Sequence, residues 1–193
     1  MNKRSGEESK RNIIAAAIQV FADYGYDNAS MRMIAQAAGV SVGTLYLHFK
    51  NKDDLYLTIT KEWIDDLNEL TNRALDRIDD PRTAITVFIT ISIDYTREHR
   101  EMILLQGRKF GRCLGLEQKQ QFFRKRRQLL TDIVQRGVTE GVFRSDDPAE
   151  TARIIFNVLR GFIFSMLIDE EALFRAEACV DLVLNGLRRR NNG

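Results

Sequence analysis

The feature that most constrains this sequence is its shortage of residues that interrupt helices. Its 193 residues include only two prolines, Pro81 and Pro148, and each follows an aspartate at a point where a helix would begin. Proline is tolerated at the first helical position, where its missing N–H would have no partner in any case. Between such points apolar residues recur with the 3.6-residue period of amphipathic helices, and twelve glycines are few for the turns of a β-rich chain. The sequence therefore predicts an all-α fold.

About nine helices are expected. The first begins near Ser9, after a flexible polar arm, and ends at Gly25. Three more begin after Ser30, Ser41 and Asn51, residue types that cap helices by accepting hydrogen bonds from free backbone N–H groups. The fourth runs to about residue 78, and later helices are expected at 81–95, from 100 to about 111 or 114, at 117–139, from 148 and at 171–187. Residues 1–50 are thus a small head and residues 51–193 a helical bundle.

The stretch MRMIAQAAGVSVGTLYLHF reads as a helix-turn-helix with its turn at Gly39. Val40 and Leu45 are expected to pack inward, against Ile34 and Phe21. A helix of about eight residues is about 12 Å long, which suits a major groove about 12 Å wide. Its remaining face and its end carry hydroxyl, phenol, imidazole and ammonium groups suited to phosphates and bases, on Ser41, Thr44, Tyr46, His48, Lys50 and Lys52, with Gly43 among them.

Residues 10 to 55, from the apolar first helix through AGVSVGTLYLHFKNKDDL, resemble the TetR family of bacterial transcriptional regulators. The resemblance implies DNA contacts at the start of the second helix, along the third and at the start of the fourth. Carried over residue by residue, these are Ser30, Arg32, Ser41, Val42, Gly43, Thr44, Tyr46, His48 and Lys52. Gly43 departs from family members that have a larger residue there, so base specificity is expected to rest on Arg32, Val42 and Thr44.

His48 has other interpretations. A catalytic base or metal ligand would need partners, but the only other histidine is His99, and no cysteine or carboxylate cluster lies near His48 in the sequence. A phosphate contact and a packed histidine both remain open. Tyr46 has a similar alternative, a place in the core, although Lys50 four residues later indicates a solvent-facing side.

The late helices are apolar on more than one face, and a helix that is apolar all round is buried. In a chain of this size the second face indicates a partner, and the resemblance implies two helices from each subunit in a four-helix interface. We expect a C2 homodimer that binds a pseudo-palindromic operator. The expected interface residues are Ile154, Val158, Gly161, Ser165, Cys179, Leu182 and Val183.

The bundle also carries many aromatic residues, which either form an ordinary core or, as the resemblance implies, surround a ligand cavity. The candidate pocket residues are Phe88, Tyr95, Met102, Gln106, Phe110, Phe122 and Phe156. A local excess of basic residues has two interpretations as well, a solvated helix face or a rim that meets an anionic ligand such as a fatty acid or acyl-CoA. It comprises Arg108, Lys109, Arg112, Lys119, Arg124, Lys125, Arg126 and Arg127.

The sequence thus predicts a ligand-responsive repressor that binds double-stranded DNA as a homodimer and is released by a small, largely apolar effector, with an anionic effector as a variant. The net charge of +2 requires any DNA-binding patch to be local. No cofactor, metal or membrane partner is expected, and a polar N-terminus without an apolar segment indicates a cytoplasmic protein. The alternatives are control by a protein partner, redox sensing by Cys113 or Cys179, and a helical-bundle enzyme, which lacks any nucleophile–base or carboxylate pair in a motif.

Overall fold

The computed structural model describes residues 3–100, 116–168 and 175–187, with the side chains of these residues except 3–5, 167 and 168. This part of the chain is all-α, as predicted, and contains no strand. None of its helices is long and apolar enough to cross a membrane. Eight helices are present where about nine were predicted, and the predicted helix from residue 100 to about 114 lies outside the described residues except at its start. The helices are α1 (Lys3–Asn28), α2 (Met31–Ala37), α3 (Val42–His48), α4 (Lys52–Leu75), α5 (Pro81–Glu98), α6 (Leu116–Thr139), α7 (Pro148–Ile168) and α8 (Ala176–Leu187).

The starts of five helices are fixed by the capping residues that the sequence predicts. Ser30, Ser41 and Asn51 each accept a hydrogen bond from the backbone N–H three residues later, at 3.2, 2.9 and 2.8 Å. Asp80 and Asp147, which precede the two prolines, do the same at 2.9 and 3.0 Å. A cap of this kind satisfies one of the backbone donors that have no partner inside the helix. Local chemistry therefore sets where α2 to α5 and α7 begin.

Three predicted helix boundaries are wrong. α1 begins at Lys3 rather than near Ser9, because lysine, arginine and glutamate favour a helix and a single Gly6 costs it only about 1 kcal/mol. α4 ends at Leu75 rather than near residue 78. α8 begins at Ala176, the first of its residues to be buried in the core, and Arg175 lies outside it although the prediction began at residue 171. The first helix is predicted to end at Gly25, where the backbone is indeed non-helical with φ of 73°, but α1 continues past this break to Asn28.

The chain folds into two compact units. The first contains residues 3–64 with Arg100 and Leu116, and the second contains residues 65–99, 117–168 and 175–187. The first unit has its own core, in which the rings of Phe21, Tyr26 and Tyr56 lie 5.3 to 6.4 Å apart. This core holds α2 and α3 through their inward side chains. The functional boundary predicted between residues 50 and 51 stays a prediction.

The second unit packs α5 to α8 around a separate core. One of its tightest contacts follows α6, where the chain folds back so that Phe143 covers Gly137. The backbone N–H groups of Val142 and Phe143 both donate to the Gly137 carbonyl, at 2.8 and 2.9 Å. A Cβ on Gly137 would lie 2.1 Å from Cδ2 of Phe143. The glycine is therefore required by the approach of the ring rather than by its own backbone angles.

Candidate functional site

α3 has one face in the core of the first unit and the other in solvent. Leu45 and Phe49, at its end, are 0% and 2% exposed, so the predicted inward packing of Leu45 is confirmed. On the outward face Val42, Tyr46 and Leu47 are 39%, 52% and 73% exposed. The exposure of Tyr46 rules out a place in the core for its ring. A short helix thus presents two aliphatic side chains and one phenol to solvent.

Leu47 is a surface residue that the sequence analysis did not single out. It lies two positions after Leu45, which rotates it about 200° around a helix with 3.6 residues per turn. The helical period alone places it opposite the buried face, four residues from Gly43 and so on the same side of the helix. An exposed leucine at that position is available to contact apolar groups such as thymine methyls.

Ser41 and Thr44 form a pair at the start of α3. The Thr44 backbone N–H donates to Ser41 Oγ at 2.9 Å, and the two hydroxyls are hydrogen-bonded to each other at 2.8 Å. Both residues remain accessible enough to meet a ligand, because Ser41 is exposed and Thr44 is only partly buried. The side chains predicted to read DNA here therefore also hold the helix start in place. Ser30 combines the same two features at the start of α2, where the neighbouring Arg32 is exposed.

Gly43 lies in the middle of the exposed face. A Cβ at this position would have only Ser41 Oγ within 4 Å, at 3.7 Å, which is an ordinary contact. The glycine is therefore not required by packing inside the protein. Its absent side chain leaves the α3 backbone open between Val42 and Leu47.

His48 and Lys52 are more enclosed than the sequence indicates. The Nε2 atom of His48 is buried and makes no hydrogen bond in this structure. Lys52 directs its ammonium to the end of α1, where Nζ donates to the carbonyls of Tyr26 and Ala29 at 2.6 and 2.7 Å and lies 4.4 Å from the centroid of the Tyr26 ring. A phosphate contact by either residue would need a rearrangement, and both contacts stay predictions.

The predicted dimer residues divide into two groups. Ile154 and Leu182 are 55% and 60% exposed, Gly161 is exposed, and Val158 and Ser165 are partly buried. Cys179 and Val183 belong instead to the core of the second unit, at 0% and 8% exposed, so neither has surface left for a partner. These two assignments are corrected: on α8 the stripe that faces the core includes them. Burial also raises the pKa of the Cys179 thiol, which disfavours the reactive thiolate that redox sensing needs.

The four described residues of the predicted ligand pocket, Phe88, Tyr95, Phe122 and Phe156, are all buried in the second unit. Burial, aided by the nearby carboxylates of Asp66 and Glu98, raises the pKa of the Tyr95 phenol well above its usual value. Met102, Gln106 and Phe110 lie outside the described residues, as do Arg108, Lys109, Arg112 and Cys113. Among the remaining basic residues, Arg124 and Lys125 are exposed, whereas Arg126 is 3% exposed and so does not belong to a surface rim.

Comparisons with known proteins agree with this geometry. A model of bacterial regulatory proteins of the tetR family matches residues 13–59, which contain α2 and α3, and a model of the tetracyclin repressor-like C-terminal domain matches residues 115–183. The HTH-type transcriptional repressor KstR2 of Mycolicibacterium smegmatis is 27% identical over 137 residues, which are 69% of this chain and 67% of that protein. The fatty acid metabolism regulator protein of Bacillus subtilis is 25% identical over 187 residues, 92% and 95% of the two chains.

A solved structure supports the same fold over nearly the whole chain. FadR from Bacillus subtilis, in complex with stearoyl-CoA, superposes on this chain with a TM-score of 0.77 at 22% sequence identity. The superposition covers 92% of this chain and 99% of the FadR chain. The match of both family models, one at each end of the chain, agrees with the helix-turn-helix and the helical unit that follows it. The chain belongs to the TetR family of bacterial regulatory proteins, which are DNA-binding transcriptional regulators and not enzymes.

Proposed function

We propose that this regulator is a homodimeric repressor that binds a pseudo-palindromic operator and is released by a small, largely apolar effector. The observation that carries the DNA-binding part is the outward face of α3, where Val42, Tyr46 and Leu47 are exposed although the opposite face is fully buried. Three exposed apolar or aromatic side chains on one short helix are the kind of surface that a binding partner covers, which supports the proposal. In a helix-turn-helix the second helix enters the major groove, which is the role proposed for α3.

Individual roles follow from the contacts of each side chain. The Ser30 hydroxyl accepts from the backbone and keeps a proton that a phosphate oxygen can accept, and Ser41 does the same when Thr44 is the donor between their two hydroxyls. Arg32 is exposed beside Ser30 and suits a guanine or a phosphate. Thr44 and Val42 are the proposed base-reading residues, and Leu47 extends the apolar part of that surface. DNA in bacteria is cytoplasmic, so we propose the same location for this protein.

The proposed dimer surface lies on α7 and α8. Ile154, Phe164 and Leu182 are 55%, 60% and 60% exposed, which is unusual for large apolar side chains in a helical unit with its own core. A second copy of the chain would remove them from water, and burial of a Leu or Ile side chain contributes about 1.5–3 kcal/mol. Sedimentation should show a dimer at micromolar concentration, and a doubly substituted Ile154→Asp, Leu182→Asp chain should sediment as a monomer. A wild-type monomer at that concentration would contradict the proposal.

The proposed effector is supported by the relatives. FadR of Bacillus subtilis was solved with stearoyl-CoA, and the 25% identical relative is a fatty acid metabolism regulator. We propose that the effector of this chain is likewise a molecule with a large apolar part, bound in the second unit. Binding would act by favouring one of two states of the dimer, only one of which fits successive major grooves.

The DNA-binding proposal is tested with a duplex that the purified protein selects from random-sequence DNA, measured by fluorescence anisotropy. Tyr46→Ala should weaken binding about tenfold, equal to ~1.4 kcal/mol, because it removes an exposed phenol of the face that we propose contacts the DNA. Tyr24→Ala is the matched control, because Tyr24 is an equally exposed tyrosine of the same unit, at 55%, that lies on α1. Affinity should fall steeply with salt. If both variants bind as tightly as the wild type, α3 is not the recognition helix.

A further inference from the structure

Arg126 is a buried cation on the apolar face of α6. That face runs through Phe122, Arg126, Leu130 and Ile133, spaced by four, four and three residues as on one side of a helix. Arg126 is only 3% exposed, although the neighbouring Arg124 and Lys125 are exposed. Its guanidinium therefore lies inside the second unit, at a position that an apolar residue would fill in an ordinary amphipathic helix.

Two hydroxyl groups hold the guanidinium. Its Nη1 donates to Thr71 Oγ1 at 3.1 Å, and its Nη2 donates to Ser92 Oγ. Each hydroxyl gives its own proton to a backbone carbonyl one turn earlier, Thr71 at 2.7 Å and Ser92 at 2.6 Å. Because these protons are in use, both oxygens present lone pairs to Arg126. The surroundings on α4 and α5 are thus arranged to receive a cation.

These neighbours are neutral, and the part of the chain that the structure describes provides no counter-ion for the guanidinium. The guanidinium carbon lies 4.4 Å from the centroid of the Phe88 ring and 5.6 Å from that of Phe122. Among the described residues, no carboxylate oxygen lies within 4.0 Å of Arg126. Burial lowers the pKa of Arg126 to about 10, so it is still protonated at neutral pH. A guanidinium has five N–H donors, and the two hydroxyls take two of them. A buried charge with only neutral partners costs free energy, and a function that needs the charge, such as ligand binding, would account for its presence here.

An apolar pocket lies one helical turn away between the same three helices. Its volume is about 290 Å³, roughly ten times the ~30 Å³ that a water molecule occupies in the liquid. On α4 the lining residue Leu75 follows Thr71 by four positions. On α5 the lining residue Ala84 precedes Phe88 by four positions, and on α6 Leu129 follows Arg126 by three. The lining residues are Leu75, Ile78, Ala84, Leu129 and Ile133, with Asp132 and Arg136. One turn is about 5.4 Å, so a single molecule can span the cation and the pocket.

We propose that Arg126 anchors the anionic head of the effector, a carboxylate or phosphate oxyanion carried on an apolar chain that occupies this pocket. The proposal rests on the ligand-responsive function proposed above and names the chemical class of its ligand. Arginine suits this task because its planar donors match the two oxygens of a carboxylate or phosphate. The same chemistry is presented by a free fatty acid and by a phosphate-bearing lipid, so the test must separate the two.

Isothermal titration calorimetry of the full chain with decanoate, decyl phosphate and 1-decanol provides this test. The wild type should bind at least one of the two anions, and whichever binds tighter identifies the head group. Arg126→Met, which keeps the length of the side chain without the charge, should weaken binding of that anion about tenfold or more, since hydrogen bonds to charged groups are among the strongest. Binding of 1-decanol should not change. Arg124→Met is the matched control, because it removes an exposed arginine of the same helix.

If Arg126 has only a structural role, Arg126→Met should lower the melting temperature, which is the opposite of what a binding role predicts. If the arginine is kept for binding, Arg126→Met should melt at the same temperature as the wild type or higher, since replacing a buried charge by an apolar group is often neutral or stabilising. If Arg126→Met does not fold, Arg126→Lys and Arg126→Gln decide between the roles, because only the lysine retains the charge and should retain the anion. Failure of the wild type to bind either anion overturns the proposal, as does an Arg126→Met chain that binds them unchanged. Binding of the selected DNA duplex is also measured without ligand. A wild type that does not bind DNA would contradict the proposed regulatory function, whatever the result for Arg126.

Discussion

Gly43 has no side chain on the exposed face of α3, and adding one by the substitution Gly43→Ala should change stability and DNA affinity in opposite directions. The glycine lies within α3, where an alanine would contact only Ser41 Oγ, at 3.7 Å. Gly43→Ala should therefore introduce no strain into the protein. Its methyl group would instead project from the exposed face beside Leu47, on the surface that we propose meets the major groove.

The size of both effects can be worked from this geometry. Glycine in a helix interior is ~0.8–1.0 kcal/mol less favourable than alanine, and because Gly43 is the second residue of α3 the variant should gain at most that amount of stability. For a protein of this size the melting temperature should rise by at most about 2–4 °C. If the open backbone at Gly43 lets the helix approach the bases, the methyl group holds it away. The loss of close contact should weaken operator binding about tenfold, equal to ~1.4 kcal/mol.

Thermal unfolding and fluorescence anisotropy on the selected duplex measure the two effects on the same samples. Gly6→Ala is the matched control, because Gly6 is a glycine of α1 in the same unit, outside α3 and the proposed dimer surface, with nothing within 4 Å of its added Cβ. It should not alter DNA affinity. A Gly43→Ala chain that is more stable and binds DNA as tightly as the wild type would refute close backbone approach at this position. Tighter binding would refute it too, and would indicate that the groove has room for a methyl contact.

Two further substitutions test the packing of each unit. Lys52→Met removes the ammonium that bonds the carbonyls of Tyr26 and Ala29, and urea unfolding should show a loss of ~1.5–3 kcal/mol, the contribution of a hydrogen bond to a charged group. The exposed Lys50→Met should change stability by less than about 0.5 kcal/mol, and equal midpoints for both variants would show that the Lys52 contacts contribute nothing. Gly137→Ala places a Cβ 2.1 Å from the ring of Phe143 and should cost ~1–3 kcal/mol through overpacking. In a Phe143→Leu background that penalty should shrink, and an undiminished penalty would assign it to another contact.

The sequence predicts most of the fold because helix starts depend on local chemistry. Ser30, Ser41, Asn51, Asp80 and Asp147 each cap a helix through a hydrogen bond that spans only three residues. Such contacts do not require knowledge of the tertiary structure. The start of α1 is different, because nothing near Ser9 forces a helix to begin there, and good helix formers before it allow the helix to extend.

Tertiary packing decides what the sequence pattern leaves open. α8 has apolar residues on two sides, and the pattern does not tell which side meets the chain's own core, so Cys179 and Val183 were assigned to the wrong one. Arg126 is a different case, since its spacing from Phe122 and Leu130 already places it on the buried face. Its membership in a run of basic residues obscured that signal. Leu47 was likewise detectable from its position relative to Leu45.

The hydroxyl pair of Ser41 and Thr44 has a consequence for how this regulator can change its target. Thr44 is one of the side chains that we propose read bases, and its hydroxyl is bonded to the residue that caps α3. A substitution at position 44 removes that hydroxyl pair but keeps the cap, because the Ser41 hydroxyl accepts from the backbone N–H of residue 44, which every residue except proline retains. The base preference that we propose for position 44 can therefore change by a single substitution while α3 still begins at the same point, whereas a substitution of Ser41 would remove the cap itself.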